Sequence, residues 1–326
     1  KQQRRDHSRV LYVETGDVFQ GAPIFNSFGG EPEFKAMTQL QVDAFAIGNH
    51  EFDNGTSHFV EQALTHASFP MVAANYAIGD PGFDKHVKSG KVASPYTIIN
   101  ANGLRVGVIG LGYVGGSAKK RVGSSGVVSI RNRDTVQYYV DFLRPVVDLV
   151  VVASHAGYHD DQEMIPRTEG VDIWLGGHLH IFLDPPAVLQ DCDIVKLKRE
   201  RDRYRCNTPE KIDAAQRNCK RSCEGKQGAA LTRCNNDCLK EARDSCEREA
   251  RERRYDQRIE ELNSDIAFLE QRGCHPRDVI LMHSGAFLKY IGKLQVTLRQ
   301  CHRIKGDVCL ERDAWGVCVR KTPRRC

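Results

Sequence analysis

Short apolar runs alternate with amphipathic stretches along the first 190 or so residues. Val10 to Val13, Ala44 to Ile47, Val106 to Ile109 and Asp148 to Ala153 each read as a short buried strand, because continuous apolar runs of this length suit strands covered on both faces. Ile173 to Leu175 reads the same way. Between these runs, Ser57 to Ala67 and Arg133 to Leu143 carry apolar residues at helical spacing. The alternation predicts an α/β fold. Asn102-Gly103 sits between "YTIINA" and "LRVGVIG", a two-residue hairpin signal that makes the sheet mixed.

The pattern changes at Cys192. Residues 193–273 are dominated by Arg, Lys, Glu and Asp with almost no strand signal. Tyr255, Ile259, Leu262, Ile266 and Leu269 recur at alternating steps of four and three, a heptad seam that wants a partner helix. Its partner is either the arm around Ile194 and Leu197 or another chain. All twelve cysteines lie from Cys192 onward. Their even number and C-x3-C spacing favour disulfides over zinc, and hence an oxidising compartment. Cys219 and Cys223 share one helical face, as do Cys234 and Cys238, with Gly225 and Gly228 able to turn the chain between them. The expected arrangement is a helical hairpin stapled by Cys219–Cys238 and Cys223–Cys234, with Cys192 and Cys274 closing its base. Strand-like sequence returns at residues 279–298.

The expected organisation is therefore an α/β part at residues 1–191, a disulfide-stapled helical insertion at 192–274, the end of the α/β part at 275–300, and a cysteine-rich tail at 301–326. Cys301, Cys309, Cys318 and Cys326 in that tail are expected to form two further disulfides. Of the 326 residues, 40% are hydrophobic and 27% charged, an ordinary globular balance. The net charge of +5 is mild and gives little reason to expect a nucleic-acid polymer as partner. No apolar run is long enough to span a membrane. The chain begins at Lys1 rather than Met, as expected of a processed product or an excised piece. An extracytoplasmic setting follows from the cysteines: periplasmic, secreted or cell-surface.

Four strand ends carry polar side chains of the kind that bind metal. "TGDVFQG" puts Asp17 after the first apolar run, and "AIGNHEFDNG" puts Asn49, His50 and Asp53 after the second. "VVASHAG" supplies His155, and "IWLGGHLH" supplies His178 and His180. Asp and neutral imidazole are ligands that a borderline dication takes, and Asn adds a neutral oxygen. The four ends are expected to converge on one edge of one sheet, where open α/β folds place their chemistry.

"GDVFQG", "GNHEFDNG", "SHAGYHDD" and "GGHLH" resemble the successive motifs of calcineurin-like metallophosphoesterases, in particular the catalytic domain of the 5'-nucleotidase and 2',3'-cyclic phosphodiesterase branch. "GAFLKYIGKLQVTL" resembles the strands that close that domain. The resemblance implies a four-layer α/β/β/α sandwich and two divalent metal ions, drawn from Zn, Mn, Fe or Co. It implies hydrolysis of nucleotides or related small phosphomonoesters by metal-activated water, because two ions about 3.5–4 Å apart can hold both the attacking and leaving oxygens. By the same resemblance Asp17 bridges both ions, Asn49, His155 and His178 complete one, and His180 binds the other. His50 contacts the phosphoryl group and Asp53 orients it.

The family's Asp-x-His motif, upstream of the Gly-Asp motif, has no clear counterpart. Asp6-His7 has the wrong spacing, and Asp84-Lys85-His86 has the wrong chain order. This motivates a rival expectation, a secreted binding or adhesion module on a catalytically impaired scaffold, acting through the helical insertion by self-association or a protein partner. "GLGYVG", Gly110 to Gly115, matches a dinucleotide fingerprint after a strand, but no amphipathic helix follows and the reading fails.

Overall fold

The computed structural model describes residues 1–21, 23–78, 92–113, 127–285 and 291–298, with backbone alone at 77–78, 127–129, 309–312 and 318–321. Residues 1–290 and 291–326 form separate units. In the first, β1 (Val13–Glu14), β2 (Ala44–Ala46) and β3 (Met71–Val72) make a parallel three-stranded sheet in the order β1-β2-β3. A six-stranded sheet runs β10-β11-β9-β8-β6-β5. Its members are β5 (Tyr96–Ala101), β6 (Leu104–Leu111), β8 (Leu149–Ser154), β9 (Ile173–Gly176), β10 (Ala187–Gln190) and β11 (Asp278–His283), while β4 (Tyr76–Ile78) and β7 (Val127–Ser129) pair separately.

The sheet is mixed, as the hairpin signal requires. Asn102 and Gly103 take φ 49° and 84°, the left-handed pair of a type I′ turn, and β5 and β6 pair antiparallel through Ala101 and Leu104. The buried runs of β6, β8 and β9 pair parallel to one another in register.

Helices α1 (Glu31–Leu40) and α2 (Thr56–His66) cover the small sheet. Phe34, Phe45, Phe59 and Phe69 share that core with Phe19, whose ring lies 5.0 Å from Phe25 and 5.1 Å from Phe34. Phe19 thereby anchors the loop that follows β1. Helix α3 (Asn132–Leu143) buries Val136, Val140 and Leu143 against the large sheet, around Trp174. The two sheets pack against each other through β2 and β3 with β6 and β8, giving layers of helix, sheet, sheet and helix.

Two strand expectations change. Val10 to Tyr12 are half-buried and outside β1, because the Tyr12 amide donates to the Asp43 carboxylate at 2.7 Å instead of to a ladder. The strand expected over 279–298 is confined to β11; residues 291–298 carry no regular element, and residues 286–290 lie outside the described residues. Asp84 to His86, the later glycine of the "GLGYVG" run and the pairing of the tail cysteines also lie outside them, although the tail backbone forms a strand pair at 309–312 and 318–321.

Between β10 and β11 stand four helices: α4 (Ile194–Tyr204), α5 (Pro209–Ser222), α6 (Gly228–Glu252) and α7 (Tyr255–Arg272). Cys192–Cys274, Cys219–Cys238 and Cys223–Cys234 are bonded as expected, and Cys206–Cys246 adds a fourth link. The heptad seam is covered within the chain: Leu262, Ile266 and Leu269 pack with Leu197 of α4. The seam therefore does not need a second chain, which removes one support for the adhesion-module expectation. Charge fastens α7 to the α/β layers. Buried Asp265 meets Arg131 and Arg133 at 3.2 Å and Arg167 at 3.1 Å, and Arg272 grips Asp141 and Glu169 at 2.7 Å.

Candidate metal centre

The four chemistry-bearing strand ends meet, but from two sheets rather than one: β1 and β2 belong to the small sheet, β8 and β9 to the large one. Packing the two sheets face to face brings both sets of ends to one rim. There Asp17, His155 and His178 offer donor atoms that all lie within 4.8 Å of one another.

His155 is 1% exposed. Its Nδ1 donates to the Thr15 carbonyl at 2.5 Å, which fixes the ring and turns Nε2 toward the centre. Nε2 lies 2.7 Å from Asp17 Oδ2 but outside hydrogen-bond geometry, so it has no hydrogen-bond partner. Burial alone pushes the Asp17 carboxyl up, yet the His155 imidazole and the His50 amide outweigh it and hold it below its ordinary range. Burial likewise lowers His155, and the Asp17 carboxylate more than reverses this. Both shifts favour a positive charge held beside Asp17.

His178 sits opposite, its ring 5.2 Å from that of His155 and stacked on Tyr113 at 3.8 Å. Burial, and then the nearby His155 charge, push its imidazole down to about 4, so it is neutral at physiological pH and able to coordinate. Its buried Nδ1 has no protein partner, and neither does Oδ1 of Asn49, which is 3% exposed. The neighbouring His50 amide donates to Asp17 Oδ1 at 2.8 Å. On the His50 side chain, Nδ1 lies 2.7 Å from Asp53 Oδ2. His180 is exposed and outside the three-donor cluster. Asp6, the last residue of a five-residue helix, and His7, its C-cap, are exposed and also lie outside the cluster.

Backbone constraints hold this arrangement. Asp17, His178 and His180 take φ of 59°, 72° and 56°, left-handed positions that cost of order 1–3 kcal/mol each for non-glycine residues and cluster at functional sites. Gly48 lets the β2 end approach Asp17: an added Cβ would stand 2.4 Å from Asp17 Oδ1 and 2.5 Å from Asp17 N.

Glu51 is the site residue that sequence reasoning missed. Fully buried, it accepts backbone N–H groups from Gly48 (2.7 Å), Val18 (2.9 Å), Asp17 (3.1 Å) and Phe19 (3.3 Å). It ties the β1 and β2 loops together, while burial and then the Asp17 charge push its carboxyl up to about 7. Its presence inside "GNHEFDNG" was visible; its three partners in the β1 loop, 32–34 residues away, were not.

Residues 1–182 match the calcineurin-like phosphoesterase family. The chain belongs to that family. Within it, the chain is 35% identical over 191 residues to a snake venom 5'-nucleotidase of Crotalus adamanteus, covering 56% of this chain and 31% of that protein. It is 31% identical over 191 residues to a Homo sapiens 5'-nucleotidase, covering 57% and 33%. A 5'-nucleotidase precursor from Thermus thermophilus superposes with a TM-score of 0.50 at 29% identity, covering 58% of this chain and 39% of that one. The chain thus spans about a third of the length of the curated relatives it matches.

A divalent ion of the kind this family implies fits the residues present at one position. Buried Asn49 Oδ1 and His178 Nδ1 have no hydrogen-bond partner in the protein, and such atoms are costly unless something meets them. A cation beside the Asp17 carboxylate would meet them with ligands of suitable type.

Proposed function

We propose that this phosphoesterase-family chain forms the centre of a metal-dependent hydrolase acting on nucleotides or related phosphomonoesters outside the cytoplasm. The observation that carries the reading is the convergence of Asp17, His155 and His178 beside buried oxygen and nitrogen atoms that lack partners. Asp17, Asn49, His155 and His178 would hold one ion, and Asp17 with His180 would serve a second. Zinc, manganese, iron and cobalt all suit this donor set. The ions would supply Lewis-acid charge to the phosphoryl oxygens and a nucleophile at neutral pH.

The chain's own side chains do the rest. His155 keeps its Nδ1 proton on the Thr15 carbonyl and so presents Nε2 to the ion. Asp53 engages His50 Nδ1, fixing the ring so that Nε2 can hold a proton toward a phosphoryl or leaving-group oxygen. Glu51 keeps the Asp17 and Gly48 backbones in place. The four disulfides and the venom relatives support an extracytoplasmic compartment.

The test is hydrolysis of AMP and bis-p-nitrophenyl phosphate by manganese-loaded protein, beside Asp17→Asn and His50→Gln. The wild type turns over one of the two substrates. His50→Gln loses roughly 10²–10⁴-fold in rate while keeping its metal, and Asp17→Asn loses both. Metal-loaded wild type that hydrolyses neither substrate would overturn the reading.

A further inference from the structure

Behind the candidate metal centre, three residues that the proposed chemistry does not use form a closed, buried cluster. Ser154 at the end of β8, Asp161 and His283 at the end of β11 are 0%, 0% and 1% exposed. The Ser154 hydroxyl donates to Asp161 Oδ1 at 2.5 Å and accepts the Ala156 amide at 3.1 Å. His283 Nε2 lies 3.0 Å from Asp161 Oδ2. Ser154, Gly176 and His283 are register partners across β8, β9 and β11. The His283 ring reaches Asp161 by crossing Gly176, where a Cβ would stand 2.0 Å from Nε2 and 2.4 Å from Asp161 Oδ2.

A Ser, an Asp and a His in contact invite comparison with a nucleophilic triad, but the order is wrong. The carboxylate stands in the middle and takes the serine proton itself, so no imidazole activates the hydroxyl. The placement says more. Ser154 immediately precedes His155, and its hydroxyl also holds the Ala156 amide on the other side of that ligand. Gly176 lies two residues before His178. One carboxylate thus ties the backbone leading into one candidate ligand to the strand beyond the other.

We propose that Ser154, Asp161 and His283 are positioning residues for the metal centre, holding His155 and His178 at the spacing that one ion needs. The inference rests on the metal-binding reading of that centre. A fully satisfied buried polar network is rigid, and outer partners of metal ligands typically matter about 10–100-fold in metal affinity.

The test compares wild type, His283→Leu, His283→Gln and Ser154→Ala by manganese affinity and, without metal, by the ring 15N resonances of His155 and His178. Leu keeps apolar volume but no donor; Gln keeps an N–H at similar reach. His283→Leu is expected to weaken manganese binding about 10–100-fold and to move both ring resonances. His283→Gln recovers most of the affinity at comparable thermal stability. Leu and Gln variants with equal affinity and unmoved resonances would overturn the proposal, as would losses that follow thermal stability alone. If His283→Leu does not fold, Ser154→Ala carries the same comparison with a smaller loss. A wild type that binds no manganese defeats the metal reading, and the metal-free resonances then decide the positioning role separately.

Discussion

Removing the Cys206–Cys246 link with the double substitution Cys206→Ser and Cys246→Ser should unfold the α5–α6 hairpin and leave the sheets intact. Helix α6 buries no residue, and α5 buries only Cys219. Ile212 is 43% exposed, so the hairpin has no apolar core and its stability comes from its cross-links. As an isolated link closing 40 residues, Cys206–Cys246 contributes about 3.9 kcal/mol in the chain-entropy account. With Cys219–Cys238 intact the closed path is about half as long, and the figure falls to roughly 3.4 kcal/mol. Either value exceeds what a helix pair with no buried seam can hold against fraying, since isolated helices of this length are marginal. Amide hydrogen exchange followed by mass spectrometry reads this directly. Peptides from residues 206–252 should exchange faster by a factor of about 10² or more, at 1.4 kcal/mol per tenfold. Peptides from α4 and α7 should hold, because Leu197, Leu262, Ile266 and Leu269 pack together above the Cys192–Cys274 link. Unchanged exchange in α5 and α6, or equal loss in the large sheet, would refute the reasoning.

Other predictions follow from the same contacts. Gly48→Ala drives a Cβ against the Asp17 side chain and amide, and isothermal titration should show manganese binding weakened at least about tenfold, whereas unchanged affinity would mean that the loop adapts. Asp265→Ala takes the buried carboxylate from Arg133 and Arg167, which keep Asp134 and Glu200 as partners, and should cost about 1.5–3 kcal/mol in urea unfolding; Arg131→Ala, at a half-exposed partner, should cost under about 1 kcal/mol. Manganese at about a hundred times its Kd should raise unfolding stability by about 2.7 kcal/mol and EDTA should remove the gain, with an unshifted melting curve counting against a folded-state site.

What the sequence made legible depended on how local each signal was. The runs of β2, β6, β8 and β9 are apolar over consecutive residues, and Asn102-Gly103 is a two-residue code for a turn, so both could be read without knowing the fold. The Cys219–Cys238 and Cys223–Cys234 links followed from helical periodicity, because two residues four apart define a face. Cys206 is a single cysteine in the loop between α4 and α5 and Cys246 a single cysteine on α6, with no local spacing to pair them. Whether the strand ends meet on one sheet or two is a matter of tertiary packing that no run encodes; β1 and β2 proved to lie on the small sheet. Glu51 and the cluster of Ser154, Asp161 and His283 escaped for the same reason, since each is defined by partners distant in sequence. Val10 to Tyr12 misled because their apolar pattern is strand-like while the Asp43 carboxylate takes the Tyr12 amide out of any ladder.

The central claim, that this family member assembles a cation site from Asp17, His155 and His178, is tested most directly by metal content and affinity. Wild type and Asp17→Asn would be loaded with manganese or zinc, freed of excess and assayed by mass spectrometry, with affinities taken by titration. The account predicts at least one ion retained per wild-type chain and none on Asp17→Asn, which lacks the carboxylate charge that both histidines face. Equal retention by the two proteins, or none by either, would contradict it.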